Sequence, residues 1–91
     1  MEKTLHCKVS GRVHGVAFRY FVLGEATRLN LTGYVRNLPG GQLEIKAQGQ
    51  DQALDKFLES VRLGPPLARV DQVETAWPSE EQRFEQFEIR R

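Results

Sequence analysis

The first thirty residues change from one hydrophobic period to another. Over residues 3–9 apolar and polar side chains alternate, which is the pattern of a half-buried strand. A loop with two glycines follows over residues 10–17. From Phe18 to Asn30 apolar residues recur every three or four positions, which predicts a helix with one buried face, and we expect Gly33 to end it. The apolar side of the strand consists of Leu5, Cys7 and Val9, and the apolar face of the helix consists of Phe18, Val22, Ala26 and Leu29.

The middle of the chain predicts a hairpin and a second helix. A strand over residues 33–38 leads through a Pro-Gly-Gly turn into a strand over residues 43–48, in which apolar and charged residues alternate. We expect the side chain of Asp51 to cap the second helix and Gly64-Pro65-Pro66 to end it. The apolar stripe of this helix consists of Leu54, Phe57, Leu58 and Val61.

The last third of the chain predicts two further strands. Residues 67–77 form the fourth, in which Val70 and Val73 break the alternation and indicate a bulge, and residues 87–90 form a short fifth. This is the order of an α+β, ferredoxin-like β-α-β-β-α-β sandwich, an antiparallel sheet with both helices on one face. The first crossover makes strands one and two parallel, which places the glycine loop and Asn37 at the same edge of the sheet.

Length, charge and cysteine content narrow the class of protein. Ninety-one residues, of which 40% are hydrophobic, predict a single domain over residues 1–91, which we expect to be a monomer. The single Cys7 cannot form an internal disulfide, and no apolar segment is long enough to span a bilayer, so we expect a cytoplasmic protein. Six Lys and Arg against two Glu in residues 1–36 would favour a small anion there, although charge also fluctuates over short stretches.

The glycine loop is a candidate anion site. A loop that leads from a strand into a helix can turn amide N–H groups inward, and the helix start adds the positive end of its dipole. Arg19, in the first helical turn, could hold two phosphate oxygens at once. The alternative is a plain turn beside a surface arginine. The spacing from Gly11 to Gly15 matches neither a Walker loop nor the G-x-G-x-x-G fingerprint.

Two segments taken together are more specific. Residues 11–19, GRVHGVAFR, and residues 33–41, GYVRNLPGG, closely resemble the two signatures of the acylphosphatase family, and the resemblance extends over essentially the whole chain. It implies a hydrolase that cleaves the carboxyl-phosphate anhydride bond of a small acyl phosphate, releasing inorganic phosphate, with no metal or cofactor and no nucleic-acid or membrane partner.

The same resemblance implies roles for individual residues. Arg19 would clamp the phosphate and Asn37 would orient the attacking water. The family usually has Gln where this chain has His14, and often Gly or Phe where it has Ala17. The loop implied to bind phosphate through its backbone amides consists of Arg12, Val13, His14, Gly15, Val16, Ala17 and Phe18.

Elementary chemistry is consistent with these roles. An acyl phosphate has an excellent leaving group, so catalysis needs neutralised charge and positioning more than a strong base. Asn37 is a poor proton acceptor, which favours a substrate-assisted route in which the oxygens of the substrate take the proton. Cys7 is expected in the core, and His6 and His14 have no zinc-ligand spacing. Trp77 and the five phenylalanines are expected to pack in the core or on the sheet.

Two other functions stay open at this stage. RNA-recognition domains share this order of elements, but they carry aromatic side chains on the open sheet face, where strands one and three here offer His6, Lys8, Glu44 and Lys46. A non-catalytic phosphate-binding or regulatory domain, or a piece of a larger carbamoyl-transferring protein, is the second alternative. The start and end of the chain favour a free-standing enzyme over that alternative.

Overall fold

The computed structural model describes residues 2–79 and 82–91 and contains the predicted elements in the predicted order. The strands are β1 (Glu2–Arg12), β2 (Thr32–Asn37), β3 (Leu43–Gln50), β4 (Arg69–Ala76) and β5 (Phe87–Arg90). The helices are α1 (Phe18–Arg28) and α2 (Asp51–Leu63). This is the ferredoxin-like α+β sandwich.

The sheet has the strand order β4-β1-β3-β2-β5. β3 lies at its centre and runs antiparallel to both β1 and β2, and β4 pairs antiparallel with β1. The prediction of an antiparallel sheet therefore holds for four strands. β5 lies at the opposite edge of the sheet from β4 and pairs parallel with β2, which makes the sheet mixed.

The core lies between the helices and one face of the sheet. Alternate residues of β1 and β3 meet the apolar stripes of both helices, as the two hydrophobic periods predict. Cys7 is fully buried there, and this burial raises the pKa of its thiol to about 12, so the expected packing role of Cys7 is confirmed. The largest fully buried side chains are Phe18, Phe57, Leu5, Leu43, Ile45 and Leu54.

The first helix ends earlier than predicted. Asn30 adopts the left-handed conformation with φ 59°, and the amides of Asn30 and Leu31 bond the carbonyls of Thr27 and Ala26. These two bonds form a Schellman motif, in which a left-handed residue closes the helix. The prediction that Gly33 ends the helix is wrong, since Asn30 does so three residues earlier.

Gly33 instead lies inside β2. Its φ is 140°, and a Cβ built on it would lie 1.9 Å from the carbonyl oxygen of Lys46 on β3. Only glycine allows the two strands to approach this closely with that backbone angle.

The start of the second helix also differs from the prediction. Asp51 is the first helical residue, the N-cap is Gln50, and the cap position makes no side-chain hydrogen bond. One carboxylate oxygen of Asp51 lies 3.5 Å from the ammonium of Lys3 on β1. The carboxylate therefore contacts a neighbouring strand instead of the helix amides. The end of this helix at Gly64 is confirmed.

Two further predictions concern the edge strand β4 and the residues that follow it. The register between β1 and β4 shifts between Ser10 and Gly11, which leaves Asp71 as the extra residue and confirms a bulge between Val70 and Val73. Trp77 is not a core residue. It is 48% exposed because it lies just beyond Ala76, the last paired residue of β4. Its ring lies near the ammonium of Lys3.

Candidate phosphate-binding site

Strand register brings the two ends of the candidate site together. Leu43 of β3 pairs with Val9 of β1 on one side and with Asn37 of β2 on the other. Because adjacent strands lie about 4.8 Å apart, Asn37 is two strand spacings from Val9, which lies three residues before the end of β1 at Arg12. The predicted neighbourhood of the loop and Asn37 is therefore present.

A cavity of about 160 Å³ lies between the loop, the start of α1 and the end of β2. Arg19 and Asn37 both line it, so the structure brings together the two side chains to which the sequence analysis assigned chemistry. The lining residues that the structure describes are Val13, Gly15, Ala17, Phe18, Arg19, Tyr20 and Asn37.

The orientation of Asn37 follows from the pleat of β2. Val35 is buried in the core, and Asn37, two residues on, lies on the same helix-facing side of the sheet. Its side-chain oxygen Oδ1 is buried, and no donor among the described residues reaches it. A buried amide oxygen without a partner is rare in folded proteins, and it can still accept a hydrogen bond from a water or a ligand.

The first turn of α1 combines the positive end of the helix dipole with the guanidinium of Arg19. This turn contains no acidic residue, and the helical bond from the Phe21 amide ends on the carbonyl of Ala17, at 3.0 Å. The amides of Phe18, Arg19 and Tyr20 therefore have no acceptor within the helix. Within residues 2–79 and 82–91 no carboxylate pairs with the Arg19 guanidinium. The helix dipole and this cation both favour an anion in the cavity.

The loop reaches this shape through two left-handed residues. Gly15 has φ 71° and Ala17 has φ 61°, and Ala17 is the N-cap of α1. The left-handed conformation costs a non-glycine residue about 1–2 kcal/mol, so the surrounding structure must hold Ala17 in place. Val13, Val16 and Phe18 provide that hold, since all three are buried in the core.

Hydrogen bonds fasten the loop to the hairpin between β2 and β3. The ring nitrogen Nε2 of His14 donates to the carbonyl oxygen of Gln42 at 2.8 Å, and the amide of Leu38 donates to the same oxygen, also at 2.8 Å. The side chain of Gln42 donates from Nε2 to Ser10 Oγ at 2.9 Å. Gln42 therefore connects the end of β1, the loop and the residue that follows Asn37.

The candidate loop residues are not placed alike. Val13, Gly15, Ala17 and Phe18 line the cavity, whereas Arg12, His14 and Val16 do not. β1 extends to Arg12, beyond the predicted end at residue 9, so Arg12 is a strand residue paired with Arg69 of β4 and does not belong to the loop. Val16 points into the core.

The lining also contains Tyr20, which the sequence analysis did not single out. A local signal was available. Tyr20 follows Arg19 in the first turn of α1 and lies outside the buried stripe of that helix.

A separate polar cluster lies on the open face of the sheet. Glu44 accepts hydrogen bonds from His6 Nε2 at 2.9 Å and from Arg36 Nε at 2.6 Å. Burial tends to raise the pKa of the Glu44 carboxyl, but the bonds from His6 and Arg36 outweigh it and hold this pKa below its ordinary value. Tyr34 shares this face, covered by the Arg90 guanidinium 4.4 Å from its ring centre.

Other kinds of site were sought in the described residues. No group of three or more His, Cys, Asp and Glu side chains in residues 2–79 and 82–91 could hold a metal ion. None of the helices described is long and apolar enough to cross a membrane.

The fold and the cavity define a class of protein, a ferredoxin-like sandwich with a small cavity between its glycine loop and the end of β2. The family model described as acylphosphatase matches residues 5–89, and this chain belongs to the acylphosphatase family. It is 41% identical over 90 residues to an acylphosphatase of Salinibacter ruber, covering 99% of this chain and 95% of that protein. It is 48% identical over 85 residues to one of Archaeoglobus fulgidus, covering 93% and 94%.

Solved structures agree with this assignment. The crystal structure of acylphosphatase from Bacillus subtilis matches with a TM-score of 0.95 and 36% identity, covering the whole of both chains. The structure of T. kodakarensis HypF matches with a TM-score of 0.85 and 33% identity, and this chain covers 12% of that much longer one. This chain is an enzyme that hydrolyses acyl phosphates.

Proposed function

We propose that the cavity binds the phosphate group of an acyl phosphate and that Arg19 and Asn37 carry the hydrolysis. One observation supports this most directly: a guanidinium and a buried amide oxygen line the same small cavity, and neither has a partner among the residues that the structure describes. We also propose that residues 1–91 act as one domain and as a cytoplasmic monomer.

Phosphate binding would use the positive end of α1. The free amides at the start of the helix and in the loop donate to the phosphate oxygens, and the planar guanidinium of Arg19 bonds two of them. An acyl phosphate carries its charge on these oxygens throughout the reaction. Donors arranged before the substrate arrives stabilise the transition state without reorganisation.

Asn37 would place the water. Its Oδ1 accepts a hydrogen bond from a water that approaches phosphorus from the side opposite the leaving carboxylate. The new bond joins this water oxygen to phosphorus, and the bond between phosphorus and the bridging oxygen breaks. The carboxylate leaves with the electron pair, and a proton of the water passes to a phosphate oxygen, so no protein base is required.

The family assignment and the cavity favour an anhydride over an ester as substrate. A carboxylate leaves far more readily than an alkoxide. Among residues 2–79 and 82–91, the lining includes no carboxylic acid or histidine that could protonate a poor leaving group. We expect phosphate release from benzoyl phosphate to be much faster than from phenyl phosphate, which has the same ring but an ester bond.

Isotopic labelling tests the route. In water enriched with a heavy oxygen isotope, the label should enter inorganic phosphate and not benzoate, because the attack is on phosphorus. Label in benzoate would mean attack on the carbonyl carbon, and the proposed role of Asn37 would be wrong. Faster hydrolysis of phenyl phosphate than of benzoyl phosphate would contradict the substrate class.

A further inference from the structure

Tyr20 stands out among the residues that line the cavity. It is 70% exposed although its neighbours in the lining include the buried Phe18 and Val13. Its hydroxyl makes no hydrogen bond to any described residue, so neither packing nor a polar partner within this part of the chain explains the position of the ring.

Helix geometry directs this ring towards the mouth of the site. Tyr20 is the third residue of α1, and long side chains in helices point back towards the N-terminus over the preceding turn. The preceding residues are the loop itself. The ring is therefore held by a regular helix, next to Arg19, over the segment that leads into the cavity.

The size of the cavity makes a second argument. Pockets that enclose whole drug-sized ligands have volumes of about 300–1,000 Å³. This one has about 160 Å³, which suits a phosphate group but leaves the acyl group at the opening. If the phosphate group occupies the cavity, the acyl group of the bound substrate extends out of the opening beside Arg19 and lies next to the exposed ring of Tyr20.

We infer that Tyr20 forms an acyl-group subsite that favours substrates whose acyl group is aromatic or otherwise planar and apolar. This rests on the proposed phosphate site. The phenyl ring of a benzoyl group stacked on Tyr20 adds contact area and an aromatic interaction. The methyl group of an acetyl group is too small to contact much of the Tyr20 ring. Tyr20 contacts the part of the substrate that does not react, so it determines specificity and takes no part in bond breaking.

The test compares benzoyl phosphate with acetyl phosphate in the wild-type chain, Tyr20→Ala and Tyr20→Phe. We expect Tyr20→Ala to lower the ratio of kcat/KM for benzoyl phosphate to that for acetyl phosphate by about threefold to tenfold, mainly through KM. Tyr20→Phe should keep the wild-type ratio, because stacking needs the ring and not the hydroxyl.

Trp77→Ala provides the matched control, because it removes an exposed aromatic ring near the start of β1, whereas the cavity lies beyond the end of that strand. This variant should leave the ratio unchanged. An unchanged ratio in Tyr20→Ala, or an equal fall in Trp77→Ala, would overturn the subsite.

Inhibition by inorganic phosphate separates this inference from the proposed function. Tyr20→Ala should leave the inhibition constant of phosphate unchanged, while Arg19→Ala should raise it strongly. If Arg19→Ala left the constant unchanged, the phosphate site itself would be wrong. If Arg19→Ala raised the inhibition constant but Tyr20→Ala left the ratio of kcat/KM for benzoyl phosphate to that for acetyl phosphate unchanged, the phosphate site would be supported and the acyl subsite would be wrong.

Discussion

The imidazole of His14 lies 2.8 Å from the carbonyl oxygen of Gln42 and donates to it from Nε2. The bond links the loop to the hairpin that carries Asn37, so His14 positions two parts of the site without lining the cavity. A neutral imidazole with its proton on Nε2 can make this bond, and so can a charged one.

His14→Gln should retain activity within about threefold, because a glutamine amide can also donate to this carbonyl. His14→Ala should lower kcat/KM by about twofold to tenfold, the equivalent of one ordinary hydrogen bond. Steady-state assays with benzoyl phosphate across a range of pH check both. A pH-dependent step in the wild-type enzyme that vanished in His14→Gln would show instead that His14 exchanges protons in the reaction.

Arg19→Lys should lose nearly as much activity as Arg19→Ala, about a hundredfold or more in kcat/KM, because an ammonium keeps the charge but not the two-pronged geometry. Competitive inhibition by inorganic phosphate should weaken in both variants. Arg28→Lys, at the other end of the same helix and paired with Glu25, is the control and should behave as wild type. A lysine variant that kept most of its activity would rule out the bidentate grip.

Asn37→Ala should lower kcat by about a hundredfold or more while phosphate inhibition changes little, because the lost bond acts mainly in the transition state. Asn37→Asp should also be a poor enzyme, since its negative charge repels the substrate. Asn30→Gly is a control before the start of β2, at the other end of that strand from Asn37, where the left-handed φ of 59° suits glycine. If Asn37→Asp were faster than wild type, position 37 would be able to hold a general base, and substrate-assisted hydrolysis would have to be abandoned.

Glu44 should make folding stability depend on acid pH. Its pKa is lower in the folded state than the ordinary 4.5, so its contribution is present above that value and is lost as pH falls through the lower folded pKa. Glu44→Gln should therefore cost about 1–3 kcal/mol near neutral pH and much less at about pH 3.

Urea unfolding at the two pH values measures this difference. Glu88→Gln is the control, because the side chains of Glu88 and Arg90 are both close to half exposed and such solvent-accessible pairs contribute little. An equal loss of stability in Glu44→Gln at both pH values would show that packing, and not the ionised carboxylate, accounts for the effect.

Much of the fold could be predicted because it depends on local periodicity. Alternation around Leu5 and the helical repeat from Phe18 reflect geometry that each segment has by itself. Gly33 shows the limit of such reasoning. It resembled a helix stop, whereas it is required by the close approach of the Lys46 carbonyl from another strand. Asn30, which does end the helix, carried a local signal that the more conspicuous glycine obscured.

The sequence by itself determined the order of the elements, and hence that the glycine loop and Asn37 share one edge of the sheet, because a right-handed crossover makes strands one and two parallel. Only the tertiary structure decided which side chains line the cavity. The lining includes Tyr20 and excludes Arg12, and the Asn37 oxygen has no partner in the described part of the chain. These outcomes depend on the pairing of β1 and β2 with β3 and on the extension of β1, which are contacts between residues far apart in the chain.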